Sequence, residues 1–125
     1  MFSYRIDKSQ GIIFSIASGS ITKADVLMHI KNVLEDPDFA SHFHAVVKFE
    51  ENIVIQVGPP DNVDTTRKVF EGYLQRRQGA KWAIVTASET TRAFVEYALG
   101  LLGLVSLNFR IFQRENDAVK WVKQP

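Results

Sequence analysis

The chain has no cysteine. Disulfides, thiolate metal sites and cysteine nucleophiles are therefore excluded, and the composition fits a reducing compartment. It also lacks an excess of charge of one sign: 15 Lys and Arg stand against 14 Asp and Glu, a net charge of +1 with the histidines neutral. That balance predicts no nucleic-acid partner, because binding a phosphate backbone needs a concentrated basic face. The short patch of Arg76, Arg77 and nearby Lys81 is too small for that role. It is better read as cations complementing the dipole at a helix C-terminus. No apolar run reaches the roughly 18 residues of a membrane-spanning helix. The opening "MFSYRIDKSQ" carries charge where a secretion signal needs an apolar stretch. The expectation is a soluble, cytoplasmic protein.

What is present suits a globular fold. The 125 residues are 46% hydrophobic and 23% charged, which fits one domain with an ordinary core. Phe2, Tyr4 and Ile6 alternate with Ser3, Arg5 and Asp7, the period of a strand with one wet face. "DKSQG" supplies a turn, and "IIFSIAS" a second strand, so an antiparallel hairpin is predicted. Thr22 is a good N-cap for a first helix, with Asp25 as a partial capping box and Ile21 and Val26 as a hydrophobic staple. Val26, Leu27, Ile30, Val33 and Leu34 form its apolar stripe, which places His29 and Lys31 toward water; Pro37 ends it.

"HAVVKF" is the third strand, and "ENIVIQV" extends it or forms a short strand of its own. A second helix starts near Asp61 or Asn62, carries Val63, Phe70 and Leu74 inward, and ends at Gly79. "KWAIVTA" is apolar enough for a strand covered on both faces. Ser88 caps a third helix in which Phe94, Tyr97, Ala98, Leu101 and Leu102 cluster and which Gly103 ends. "LVSLNFRIFQ" alternates with Val105, Leu107, Phe109 and Ile111 inward, and a short final helix near Asn116 turns Ala118, Trp121 and Val122 inward. The predicted class is α/β, a mostly parallel five-stranded sheet with an antiparallel edge strand and four helices, in the order β-β-α-β-α-β-α-β-α.

Several segments resemble a known family. "YRIDKSQGIIFSIASGSITKADV" is similar to the opening of bacterial STAS domains, a hairpin followed by Ser-Gly-x-Ile-Thr at the first helix. "HAVVKFE" resembles the third strand of such domains and "RRQGAKWAIVTAS" the helix end and fourth strand. The chain as a whole looks like a small STAS-like domain of the sporulation anti-anti-sigma fold, related to lipid-transfer (CRAL-TRIO) domains. The resemblance implies a non-enzymatic regulatory domain that acts by protein–protein contact. In regulatory members the third strand leads to a turn with a phosphorylated serine. Here that region reads "IVIQVGPPDN", with no Ser or Thr, so the resemblance carries over no switch residue. The relation to lipid-transfer domains implies an alternative, a binding module for a lipid or another apolar small molecule.

Other candidates have chemistry of their own. The Gly58-Pro59-Pro60-Asp61-Asn62 turn is a rigid exit with a helix cap, and Asp61 and Asp64 would repel an anion at that helix start. Ser88, Thr90 and Thr91 cluster hydroxyls at a helix N-terminus, which is a candidate anion or regulatory site as well as an ordinary cap. His42 and His44 lack a third ligand for a metal, and Glu50 and Glu51 are poorly placed for paired acid–base work. No nucleophile–base pair or Gly-rich phosphate loop is visible, so the expectation is no enzyme, no cofactor and no metal. Trp82, Phe94, Tyr97, Leu101 and Phe112 are the candidate surface for an apolar ligand or a contact. Phe112 falls on the polar side of its strand's alternation, which requires either cover from another element or a contact role. The expected partner is a second protein or a second copy in a homodimer, with an apolar small molecule as the alternative.

Overall fold

The computed structural model describes residues 1–56, 68, 71–72, 79–101 and 108–125, with the backbone alone at 98–101. Strands β1 (Phe2–Asp7) and β2 (Ile12–Ala17) form the expected antiparallel hairpin, in continuous register from Phe2 opposite Ala17 to Asp7 opposite Ile12. Its turn is built around the Asp7 carboxylate. That group accepts hydrogen bonds from Ser9 Oγ at 2.6 Å, Gln10 N–H at 3.1 Å and Gln10 Nε2 at 2.6 Å. These donors favour the charged form and lower the Asp7 pKa to about 2. Gly11 closes the turn at φ +67°, where a side chain would be strained and would also meet the Phe43 ring.

Gly19, at φ +66°, turns the chain into a two-residue strand, β3 (Ser20–Ile21). Helix α1 (Lys23–Glu35) follows at once. Thr22 Oγ1 accepts the Asp25 N–H at 3.2 Å and the Asp25 carboxylate accepts the Thr22 N–H at 2.9 Å. The capping box is thus complete, with Asp in the place more often held by Glu. Ile30 and Val33 are buried, and Asp36 is already extended, as the residue before Pro37 must be.

Strands β4 (His44–Phe49), β6 (Trp82–Val85) and β7 (Phe109–Phe112) complete the main sheet. Its order is β1-β2-β4-β6-β7, mixed, with every neighbour parallel except the β1 edge. The "IVIQ" stretch makes a strand of its own, β5 (Val54–Ile55), which pairs in parallel with β3 as a second, two-stranded sheet. Gln56 fastens it, donating its N–H to Ile21 O at 2.8 Å and Nε2 to Ser20 Oγ at 2.8 Å. The expected strand order is therefore corrected by two short strands. Their pairing joins segments more than thirty residues apart, which local periodicity does not register.

Helices α2 (Glu89–Leu101) and α3 (Glu115–Val122) make three among the described residues. The expected second helix falls where only Lys68, Glu71 and Gly72 are described, all three helical. Gly103 and the start of the last expected strand lie outside the described residues.

The sheet has a core on each face. On one, Ile12, Val46, Ala83 and Val85 meet Ala118 and Val122 of α3, with Phe14, Phe112, Val119 and Trp121 around them. On the other, Ile13 packs with Val33 of α1 and Phe43, flanked by Tyr4, Ile6 and Phe39. Successive residues of β2 thus serve opposite cores, as strand geometry requires. A side chain such as Ile12 or Val122, buried almost completely, contributes roughly 1.5–3 kcal/mol. Lys81 pins α3 from below: its ammonium donates to the carbonyls of Trp121, at 3.0 Å, and Gln124. A cation does complement a helix C-terminus here, but the helix is the last one in the chain. No helix among the described residues is long and apolar enough to cross a membrane.

Candidate functional site

Ser88 spends its hydroxyl on the start of α2, accepting the Thr91 N–H at 3.2 Å, while its own N–H donates to Thr86 Oγ1 at 3.2 Å. Thr91 is buried and Thr90 is exposed. The three hydroxyls are neighbours in sequence and do not form one cluster facing solvent.

The candidate apolar surface is divided. Trp82 pairs with Phe109 and Val85 with Phe112 along β6 and β7. Residues 82 and 85 are an odd number apart, so Trp82 and Phe112 point to opposite faces of the sheet and do not line one cleft. Phe112 is covered by α3, its ring centroid 5.7 Å from that of Trp121. That cover explains an aromatic on the side of the strand expected to be polar. Phe94 is half-buried on α2, Tyr97 is 64% exposed, and the side chain of Leu101 lies outside the described residues.

His42 and His44 part company. His44 opens β4 and its Nδ1 accepts the Lys81 N–H at 2.9 Å. His42 stands in the preceding turn, edge-on to Phe43. No group of three or more His, Asp or Glu among the described residues could hold a metal. Glu50 and Glu51 follow β4 and are both exposed. The Gly58–Asn62 turn lies outside the described residues.

His29 corrects the expectation that it faces water. Its ring stacks on Phe2 with centroids 4.5 Å apart and planes 7° apart, meets Tyr4 edge-on, and lies 3.0 Å from Ser15 Oγ. Burial lowers its pKa to about 4, so the ring is neutral. The signal for this was present: position 29 is three after Val26 and four before Val33, which is stripe spacing. The stripe drawn from the apolar residues alone left position 29 outside it. Ser15 is only 3% exposed, so this Ser–His contact is closed to a substrate and acts as a polar lock between α1 and the sheet. Tyr4 extends the lock, donating from its hydroxyl to Asp36 Oδ2 at 2.8 Å; burial, then this bond, raises the phenol's pKa.

One concave surface does bring side chains together. Helix α3 lies over β4, β6 and β7, leaving the β1–β2 end of that sheet face as a groove of about 390 Å³. Phe14 of β2 and Val119 of α3 form its floor. Arg5, directly opposite Phe14 in the hairpin, places its guanidinium 4.2 Å from the ring centroid. The rim adds Glu115 and Lys120 from α3 and Gln10 from the turn. Ile16, on the same sheet face, is 40% exposed. The groove thus sets two apolar residues, Phe14 and Val119, among charged residues of both signs. Joining Phe14 to Val119 takes the whole chain, so sequence reading had no means of finding it.

No family model, curated protein or solved structure matches the chain.

Proposed function

We propose that the protein is a non-enzymatic, STAS-like interaction domain of the cytoplasm that acts by protein–protein contact, and that the groove floored by Phe14 and Val119 is its contact surface. The observation that carries this reading is the groove's build. Its aromatic floor is held by a strand and its charged rim by a hairpin and a helix, so the backbone under the surface is set by regular structure before a partner arrives. A partner segment with one apolar anchor and flanking charges of both signs would fit. The α/β class with a mixed five-stranded sheet, the antiparallel first strand and the Ser18–Thr22 lead into a capped helix support the STAS-like reading. The work of Ser88 as a helix cap supports a domain without a phosphorylated switch. Charged groups at the groove's mouth favour a protein over a lipid tail, which needs apolar enclosure.

The test exchanges the rim charges on α3 only, as Glu115→Lys with Lys120→Glu, which keeps the net charge. Wild type and variant are used to capture partners from cells of the source organism, with quantitative mass spectrometry as the readout. A protein retained by wild type and lost at least about tenfold by the equally stable variant supports the proposal. Equal recovery by both overturns the groove's role.

A further inference from the structure

We propose, resting on the contact role above, that the groove takes an acidic amphipathic α-helix of the partner protein, laid over β2 beside α3. Spacing sets the shape. Helix α3 lies over β4, β6 and β7, so its axis runs near β6, and β2 is two strands away in the sheet order. Two strand spacings make about 9.6 Å, and packed helices stand roughly 8–10 Å apart. The open place over β2 is therefore one helix wide. The six residues of β2 run about 20 Å, the length of about 13 helical residues.

The floor is apolar along β2. Phe14 faces the groove with Val119 at its side. Ile16, two residues on and so on the same face, is 40% exposed. A helix brings such a floor one apolar stripe, with anchors three and four residues apart. It also satisfies its own main-chain groups. An extended segment lying on this face would find none to bond, because β2 is bonded to β1 on one side and to β4 on the other.

Charge sets the flanks. Three exposed cations border the floor: Arg5 opposite Phe14 on β1, Lys48 opposite Ile16 on β4, and Lys120 on α3. Lys48 and Lys120 have no ion pair among the described residues. Arg5 lies 3.9 Å from Asp7, an exposed pair of little strength, and the Asp7 carboxylate already accepts from Ser9 and Gln10. The Arg5 guanidinium rests 4.2 Å from the Phe14 ring centroid, a stack that leaves its N–H edges to a carboxylate. The carboxylate in the groove's lining is Glu115. A helix with acidic residues along the edges of its apolar stripe, and a cation facing Glu115, complements this border.

The test is a displayed library of peptides of about 14 residues, with a fixed leucine stripe at helical spacing and Glu or Lys at random elsewhere, selected on the full chain. The expected pool favours Glu over Lys beside the stripe by at least about threefold, and selected peptides shift the NMR amide signals of Phe14, Ile16 and Val119. A proline at the centre of such a peptide should weaken binding by at least about tenfold. Lys48→Glu in the protein, a surface change that leaves the fold intact, should weaken it as much. A pool without Glu enrichment, shifts confined to other residues, or a proline peptide that binds equally well overturns the inference. So does a chain that self-associates through Phe14 and Ile16 before any peptide is added. Partner capture with the rim variant judges the contact role separately: a captured protein that docks a basic or extended segment in the groove ends this inference and leaves that role standing.

Discussion

Replacing His29 by glutamine should remove about 2 kcal/mol of the protein's loss of stability between pH 6.5 and pH 4. In the fold the imidazole lies between Phe2 and Tyr4 with Ser15 as its hydrogen-bonding partner. Burial lowers its pKa from 6.5 to about 4. Below pH 6.5 the unfolded chain takes up a proton that the folded chain refuses, so stability falls as pH falls. The contribution is fully present above pH 6.5 and is lost down to about pH 4. A gap of about 2.5 units corresponds to roughly 3 kcal/mol, or about 2 kcal/mol once the partial solvent access of the ring is discounted. Asp7 and Asp25, whose folded pKa values are lowered by hydrogen bonds, lose their contribution mainly below pH 3.8, the ordinary carboxyl value. Glutamine can keep a hydrogen bond to Ser15 and does not titrate. Urea unfolding at a series of pH values, for wild type and His29→Gln, measures the difference directly. Parallel curves, or an NMR titration of His29 near pH 6.5, would refute the reasoning.

Two further outcomes follow from single contacts. Lys81→Met keeps the apolar stem but removes the ammonium from the Trp121 and Gln124 carbonyls; urea unfolding should show a loss of about 1–2 kcal/mol. Ser88→Ala removes the acceptor for the Thr91 N–H and should cost about 1 kcal/mol in the same assay. It should leave partner capture unchanged, because the hydroxyl serves the helix.

Much of this fold is written in local patterns. The hairpin follows from alternation and the Asp7–Gly11 turn, and the first helix from Thr22, Asp25 and Pro37. "HAVVKF" is strand β4 over the residues its apolar pattern marks. Each of these depends on neighbours a few residues apart. The small β3–β5 sheet, the Lys81 contact with α3 and the placing of Phe112 under Trp121 depend on partners far apart in the chain, where periodicity is silent. His29 failed for another reason: its position fitted the apolar stripe and its polarity did not. A buried histidine becomes favourable only when a partner such as Ser15 and aromatic faces such as Phe2 are supplied by another element. The candidate site was least legible. Of the hydroxyls and aromatics singled out by type, Ser88 caps a helix and Phe112 packs under α3, while the groove is made by ordinary residues, Arg5, Phe14 and Val119, brought together by topology.

The central claim is that this domain works by offering a rigid surface to another protein chain. Native mass spectrometry of the protein purified from its own cells tests it most directly. The account predicts masses for the chain joined to a second copy or to another protein, with no small molecule retained. A chain that carries the mass of a fatty acid or another apolar ligand, and no protein, would contradict it.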